Sequence, residues 1–343
     1  NVEHAHNLSV PAYVYALFEN ALRRHHSRSP DEHRLELGRL MSRFSAVAAK
    51  KRLAWFQQVR TPEEIITPSA SNRRTSLPYT KLMNSMLMVN QAAALIVTSV
   101  EEADKMGVAA ARRVYIHGYA EAADHWHVLS RENYYSSPAI KIIGEKVFAD
   151  TGLTPEAIDF FDLYSCFPSS IQITRNMLGL PAGDGRDLTV TGGLPYFGGP
   201  GNNYVMHAIA QMADVLRANP GKKGLVTGNS FYLTKHCACI YSTTPVAGAP
   251  WRAGLAGCQQ AVDRRPQEEV ADDPTGVGRI ETYTVTYIQN DAPDAGIIIG
   301  RTEEGRRFVA YTPKDPELLD AMTREDFFDV KGQENVKRAL EIA

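Results

Sequence analysis

The chain has 343 residues, of which 44 % are hydrophobic and 22 % charged, and a formal net charge of -2. That balance excludes a disordered polymer and a strongly basic nucleic-acid surface, and the length suffices for two or three domains. The four cysteines, Cys166, Cys237, Cys239 and Cys258, are too few for a disulfide framework, and no stretch approaches the roughly 18 apolar residues of a membrane span. A reducing, cytoplasmic setting is therefore expected. The first residue is Asn, so an upstream part of the chain is expected as well.

Two helices are predicted first. "PAYVYALFENALRR" opens after a proline, and "SPDEHRLELGRLMSRFSAVAA" carries the Ser-Pro-Asp-Glu start of a capped helix. A proline-punctuated stretch, "QVRTPEEIITPSASNRRTSLPYTKLMNS", reads as loop. "AAALIVTS", residues 92–99, has the apolar run of a buried strand.

A strand and helix rhythm then begins. "RVYIHGYA", "DFFDLYS", "LTVTGG", "KGLVTG" and "HCACIYST" read as strands. "PAIKIIGEKVFADTG", "PSSIQITRNMLG" and the stretch from Asn203 to Ala218 read as helices. Such alternation predicts a parallel or mixed sheet covered on both faces, over residues 114–244. Residues 264–274 are polar, with Pro266 and Pro274, and predict an exposed linker. Beyond it, Thr282, Thr284 and Thr286 alternate with Tyr283, Val285 and Tyr287, which is the strand period, and Asn290-Asp291 supplies a turn. A separate antiparallel β module, closed as a barrel, is expected there.

Three loops at strand ends carry chemistry. "GGLPYFGGPGNN" leads into a helix, so the backbone of Gly198, Gly199, Pro200 and Gly201 offers N–H groups beside a positive helix end, the arrangement that holds an oxyanion or phosphate. It reads equally as a tight strand-to-helix connection. Asn203 and His207 follow one turn apart, and a helical histidine is as readily a boundary residue as a catalyst. "DLYSCFPSS" puts Tyr164, Ser165 and Cys166 where open α/β sheets place their sites, although a cysteine there also serves as a small core residue. "TGNSFYLTKHCACIYST" holds Asn229 and His236, or is a plain polar hairpin. The Cys237-Ala238-Cys239 pair lacks the further ligands of a zinc site.

The order of these motifs resembles the C-terminal two thirds of a thiolase-superfamily protein, of the thiolase-like type 1 kind described as acetyl-CoA acetyltransferases. The resemblance implies an α/β, thiolase-like layered fold: a helical loop domain over residues 1–85, the last strand of the N-terminal half over 86–110, a complete C-terminal half over 111–250, and an OB-like β module with a C-terminal helix over 251–343. It also implies that the N-terminal, nucleophile-bearing half is missing from these residues. Where the family has an Asn or His before "EAF", this chain has Tyr164. Gly199 replaces the catalytic histidine of the "GHP" loop, and Asn229 falls near the acid/base cysteine.

An ordinary Claisen thiolase needs that histidine and two cysteines, because it carries an acyl group covalently and generates a carbon nucleophile. The resemblance therefore implies an acyl-CoA-binding, formally acyltransferase, protein with altered chemistry, whose catalytic positions are Tyr164, His207, Asn229 and His236. Asn203 and the Gly198–Gly201 backbone would bind substrate. The alternatives are a retro-aldolase acting on a β-hydroxyacyl-CoA through Tyr164, and a non-catalytic interaction module. The implied ligand is coenzyme A or its thioester, with no resident cofactor or metal. The implied partners are the N-terminal half, another thiolase-like chain or a second copy. Neither a membrane nor a nucleic acid is expected, and the acidic run 268–273 weighs against the latter.

Overall fold

The computed structural model describes residues 2–248, 252–288, 291–324 and 327–328. After one turn, α1 (Val2–Ala5), come the two expected helices, α2 (Pro11–His25) and α3 (Pro30–Ala48). Ser29 caps α3: its side chain accepts the Glu32 N–H while the Glu32 carboxylate accepts the Ser29 N–H. Thr61 and Glu64 repeat the device on α4 (Pro62–Ile66). The loop that follows contains a small hairpin, β1 (Arg74–Ser76) and β2 (Tyr79–Thr80).

The run 92–99 is not a buried strand. It is extended and mostly exposed, with Ile96 85 % and Val97 80 % accessible, because no described strand lies beside it to complete a ladder. The chain then forms α5 (Val100–Lys105), β3 (Tyr115–Ala123), α6 (Pro138–Thr151), β4 (Phe160–Asp162) and α7 (Pro168–Met177). Gly152, at φ +63°, ends α6 in the left-handed conformation that favours glycine.

The expected strand "LTVTGG" is absent as well. Val190 and Thr191 donate their N–H groups to the buried carboxylate of Asp162, at 3.0 and 3.1 Å, so those donors are lost to any ladder. A single turn, α8 (Gly193–Tyr196), stands after it, followed by α9 (Tyr204–Ala218), β5 (Lys223–Ser230) and β6 (Lys235–Ser242). The four-stranded sheet runs β3-β6-β5-β4, with β4 parallel to β5 and the other pairs antiparallel. It is the mixed sheet expected. Met212 of α9 presses on Gly224, so even-numbered residues of β5 face α9. Asn229, an odd position, meets α7 on the opposite face.

After α10 (Leu255–Asp263), the strands β7 (Gly278–Tyr287), β8 (Pro293–Thr302) and β9 (Arg307–Tyr311) and the helix α11 (Pro316–Arg324) complete the described chain. The alternation marks β7 as a strand, as expected, and both of its faces are buried, the threonine face as well as the aromatic one. Thr282 and Thr284 donate their hydroxyls to Leu17 O and Leu77 O at 2.6 and 2.9 Å, while Tyr283, Val285 and Tyr287 pack with Leu318, Leu319 and Met322 of α11.

The antiparallel sheet expected in this region is present, but among the described residues it is not closed as a barrel and it shares strands with an earlier part of the chain. The sheet is five-stranded, in the order β2-β1-β7-β8-β9, and two of those strands come from the hairpin near residue 77. Ile297, Ile299 and Val309 join the main core. The expected linker is tied down too: Glu268 N–H donates to Ser130 O at 3.0 Å, Ala271 N–H to Arg307 O at 2.8 Å, and Arg265 pairs with Glu132. The expected domain start at Trp251 and the turn residue Asn290 lie outside the described residues, as do residues 329–343 of the C-terminal segment. Among the described residues no helix is long and apolar enough to cross a membrane.

Candidate functional site

Asp162 organises the end of β4. Its buried carboxyl is pushed above the usual range by burial, against the pull of hydrogen bonds from Thr189, the 190–191 backbone and Tyr204. The Tyr204 hydroxyl reaches it at 3.0 Å, which pins the start of α9 to the strand end. From there the chain runs through Tyr164 and Cys166 into α7. The backbone of Tyr164 is fixed twice, by its N–H to Thr227 Oγ1 at 2.9 Å and by its carbonyl accepting from Ser170 Oγ at 3.0 Å.

Tyr164, Asn203 and His207 gather on the α9 face of the sheet and Asn229 lies on the α7 face, the two sides joined by the Tyr164–Phe167 segment. On the α9 side the rings of Tyr164 and Tyr204 meet edge to face at 5.6 Å, and Phe197 continues the contact to His207 at 5.5 Å. Asn203 Nδ2 lies 3.3 Å from His207 Nε2, and burial pushes the imidazole down from its usual value, which favours the neutral ring. Burial, and then the neighbouring Cys166, push the Tyr164 phenol up.

On the α7 side Asn229 Nδ2 donates to Tyr15 Oη at 2.9 Å and approaches Ser170 Oγ at 3.4 Å and Cys166 Sγ at 3.7 Å. Burial raises the Cys166 thiol to about 11, so it stays protonated. Tyr15 was not foreseen. Its only sequence signal is a tyrosine within a helix whose middle turns are buried, where a hydroxyl must find partners. That hydroxyl donates to Phe231 O at 2.9 Å and accepts the Leu233 N–H at 3.1 Å. It thereby holds the β5–β6 turn, where Phe231 and Leu233 both carry left-handed backbones at φ +54° and +51°.

His236 pairs with Asn229 across the β5–β6 ladder, but its side chain belongs to a third group. Its Nε2 lies 3.5 Å from Asp124 Oδ2, at the limit of hydrogen-bond reach, and Asp124 also accepts the Ala139 N–H at the start of α6. Burial raises the Asp124 carboxyl, and the stronger combined pull of His236, Arg131 and Ser137 leaves it below its usual value.

The glycine loop presents fewer open donors than expected. Gly199 N–H donates to Met86 O and Gly201 N–H to Gly199 O, both at 2.8 Å, and Asn203 N–H donates to Pro200 O at 3.2 Å. The start of α7 is occupied in the same way, Ser169 N–H meeting Tyr79 Oη and Ser170 N–H meeting Phe167 O. Close approach explains Gly192 and Gly198, where a Cβ would collide with Ala48 and with the Gln91 side chain.

The segment 85–91 lies across this loop. Ser85 bonds to Cys166 O, Met86 N–H to Leu194 O, and Gln91 Nε2 to Phe197 O at 2.9 Å. Among the described residues three side-chain amide oxygens are buried without a partner, Asn84 Oδ1, Gln91 Oε1 and Asn229 Oδ1. Among the described residues no group of three or more His, Cys, Asp or Glu side chains is arranged to hold a metal ion.

A search of curated proteins finds no match. Residues 257–337 match the family model of the thiolase-like protein type 1 additional C-terminal domain. Among solved structures the chain is similar to an Ltp2–ChsH2(DUF35) aldolase, at 20 % identity and a TM-score of 0.55, over 71 % of this chain and 66 % of that one. That likeness concerns the fold. It is similar at 38 % identity and a TM-score of 0.88 to a monomeric SCP2-thiolase-like protein type 1 from Mycobacterium smegmatis, over 95 % of this chain and 71 % of that one. Identity and coverage of that order place the chain in the SCP2-thiolase-like protein type 1 family.

Proposed function

We propose that the chain binds an acyl-CoA thioester, as a member of its family that is formally an acetyl-CoA acetyltransferase but does not carry out ordinary thiolysis. The observation that carries this reading is two buried acceptors without a partner among the described residues, Asn229 Oδ1 on the residue beside Cys166 and Gln91 Oε1 beside Gly198. An unsatisfied buried acceptor costs about 1–3 kcal/mol, which a ligand bearing N–H donors relieves. The pantetheine arm of coenzyme A carries such amide donors. Thiolysis itself lacks its machinery here. Cys166 is held protonated near 11, the Tyr164 phenol is pushed up, and Gly199 has no side chain.

Calorimetric titration with acetyl-CoA tests the reading. Saturable binding is expected, weakened about tenfold by Asn229→Ala, the size of one lost hydrogen bond to a buried group. No CoA-dependent cleavage of acetoacetyl-CoA is expected. Absence of binding, or measurable thiolysis by the purified chain, overturns it.

A second reading rests on the Tyr164 hydroxyl, which has no hydrogen-bond partner among the described residues. A retro-aldolase acting on a β-hydroxyacyl-CoA needs such an open acid/base, with no covalent nucleophile. If cleavage of a β-hydroxyacyl-CoA is detected, Tyr164→Phe should lower turnover by about 10² while leaving affinity unchanged.

A further inference from the structure

A cleft of about 330 Å³ opens between the last turn of α2, residues 133–135 and the start of β7, a volume within the usual range for small-molecule sites. It is distinct from the clusters around Asn229 and His207. Tyr15 and His25 stand at different levels of α2, about 15 Å apart at the helical rise of 1.5 Å per residue.

The wall of this cleft is rich in donors and poor in acceptors. Arg279 is exposed, and no described carboxylate pairs with it. Glu281, the carboxylate lining the cleft, is already held by Arg301 at 2.8 Å and Arg307 at 2.6 Å. Arg24 spends one guanidinium nitrogen on Ile280 O, at 2.9 Å. Asn133 uses its Oδ1 to accept the Tyr135 and Ser136 N–H groups, which leaves its amide donors. Tyr134, 2 % exposed, lines the cleft, and its hydroxyl is buried with no partner among the described residues. Beside these groups the exposed His25 ring lies flat on Tyr135, with centroids 4.0 Å apart and an 8° interplanar angle.

We infer that this cleft is a second ligand site, for a nucleoside phosphate. The base extends the His25–Tyr135 stack, and the phosphate oxygens meet Arg24 and Arg279, whose forked donors match phosphate geometry. Stacking on an aromatic platform accepts any base, so the class is a nucleotide rather than one particular base. The inference does not depend on thioester binding elsewhere in the chain.

Calorimetry on the full chain with ADP, adenosine and inorganic phosphate tests it. ADP should bind saturably and more tightly than adenosine or phosphate alone. Arg279→Glu, at an exposed position, should keep the melting temperature and weaken ADP at least tenfold, and Tyr135→Ala should weaken ADP and adenosine together. S-Acetylpantetheine carries the thioester arm without a nucleotide, and it should bind Arg279→Glu and the unmodified chain alike. If S-acetylpantetheine fails to bind either, the thioester reading falls and the nucleotide site stands. No saturable ADP binding, phosphate binding as tight as ADP, or ADP affinity unchanged in Arg279→Glu would overturn the site.

Discussion

Residues 282–287 and 92–99 both read as strands, and only the first forms one. Strand β7 has β1 on one side and β8 on the other, and two of its threonine hydroxyls cap backbone carbonyls of α2 and the β1–β2 turn. The run 92–99 has no described strand on either side, and its Ile96 and Val97 face water. The difference teaches that an apolar, β-prone sequence describes one half of a ladder, while burial depends on whether a second half is brought alongside.

The contrast is sharpest at Arg307 of β9, which is fully buried and donates to Glu281 of β7 and to the carbonyls of Leu129, Arg131 and Glu132. Arg307→Leu should destabilise the chain by about 3–5 kcal/mol in urea denaturation, because it strands several buried acceptors at once. A loss below about 1 kcal/mol would mean that the C-terminal sheet is held by its apolar contacts alone. Thr282→Val keeps the shape of the side chain and removes its bond to Leu17 O. A loss of about 1–2 kcal/mol is expected, and a neutral result would show that the threonine stripe serves packing only.

At the other end, Ile96→Ser should change stability by less than about 0.5 kcal/mol. Limited proteolysis gives an independent reading of the same contrast. Cleavage within 87–98 is expected before cleavage within 264–274, because the latter is bonded to Ser130, Glu132 and Arg307. The reverse order would restore the linker that the sequence composition predicts.

Local signals were legible where one segment determined its own structure. The Ser29 to Glu32 capping box, the Gly152 helix stop and the alternating faces of β7 follow from neighbouring residues. What escaped the sequence was set by groups far along the chain. The 188–193 stretch lost its ladder to the Asp162 carboxylate, and the Gly199 N–H was taken by Met86 O. His236, chosen for its place in a promising loop, lies beside Asp124, which itself accepts the Ala139 N–H at the start of α6. The candidate site was therefore visible as three loops, while its division between two faces of a sheet was not. Parity along β5 decides that division: Asn229 and Gly228 point to opposite sides.

The Tyr15 hydroxyl joins residues 216 and 218 positions away in the chain, and those bonds hold a turn that two bulky residues enter with left-handed backbones. A hairpin that has to be corrected from so far off cannot complete itself when it first forms. The β5–β6 ladder is made of local contacts, whereas its turn is bonded to α2, a contact that closes a far longer stretch of chain. The shape of the loop bearing Asn229 is thus tied, through a single phenol, to the docking of a helix more than 200 residues away.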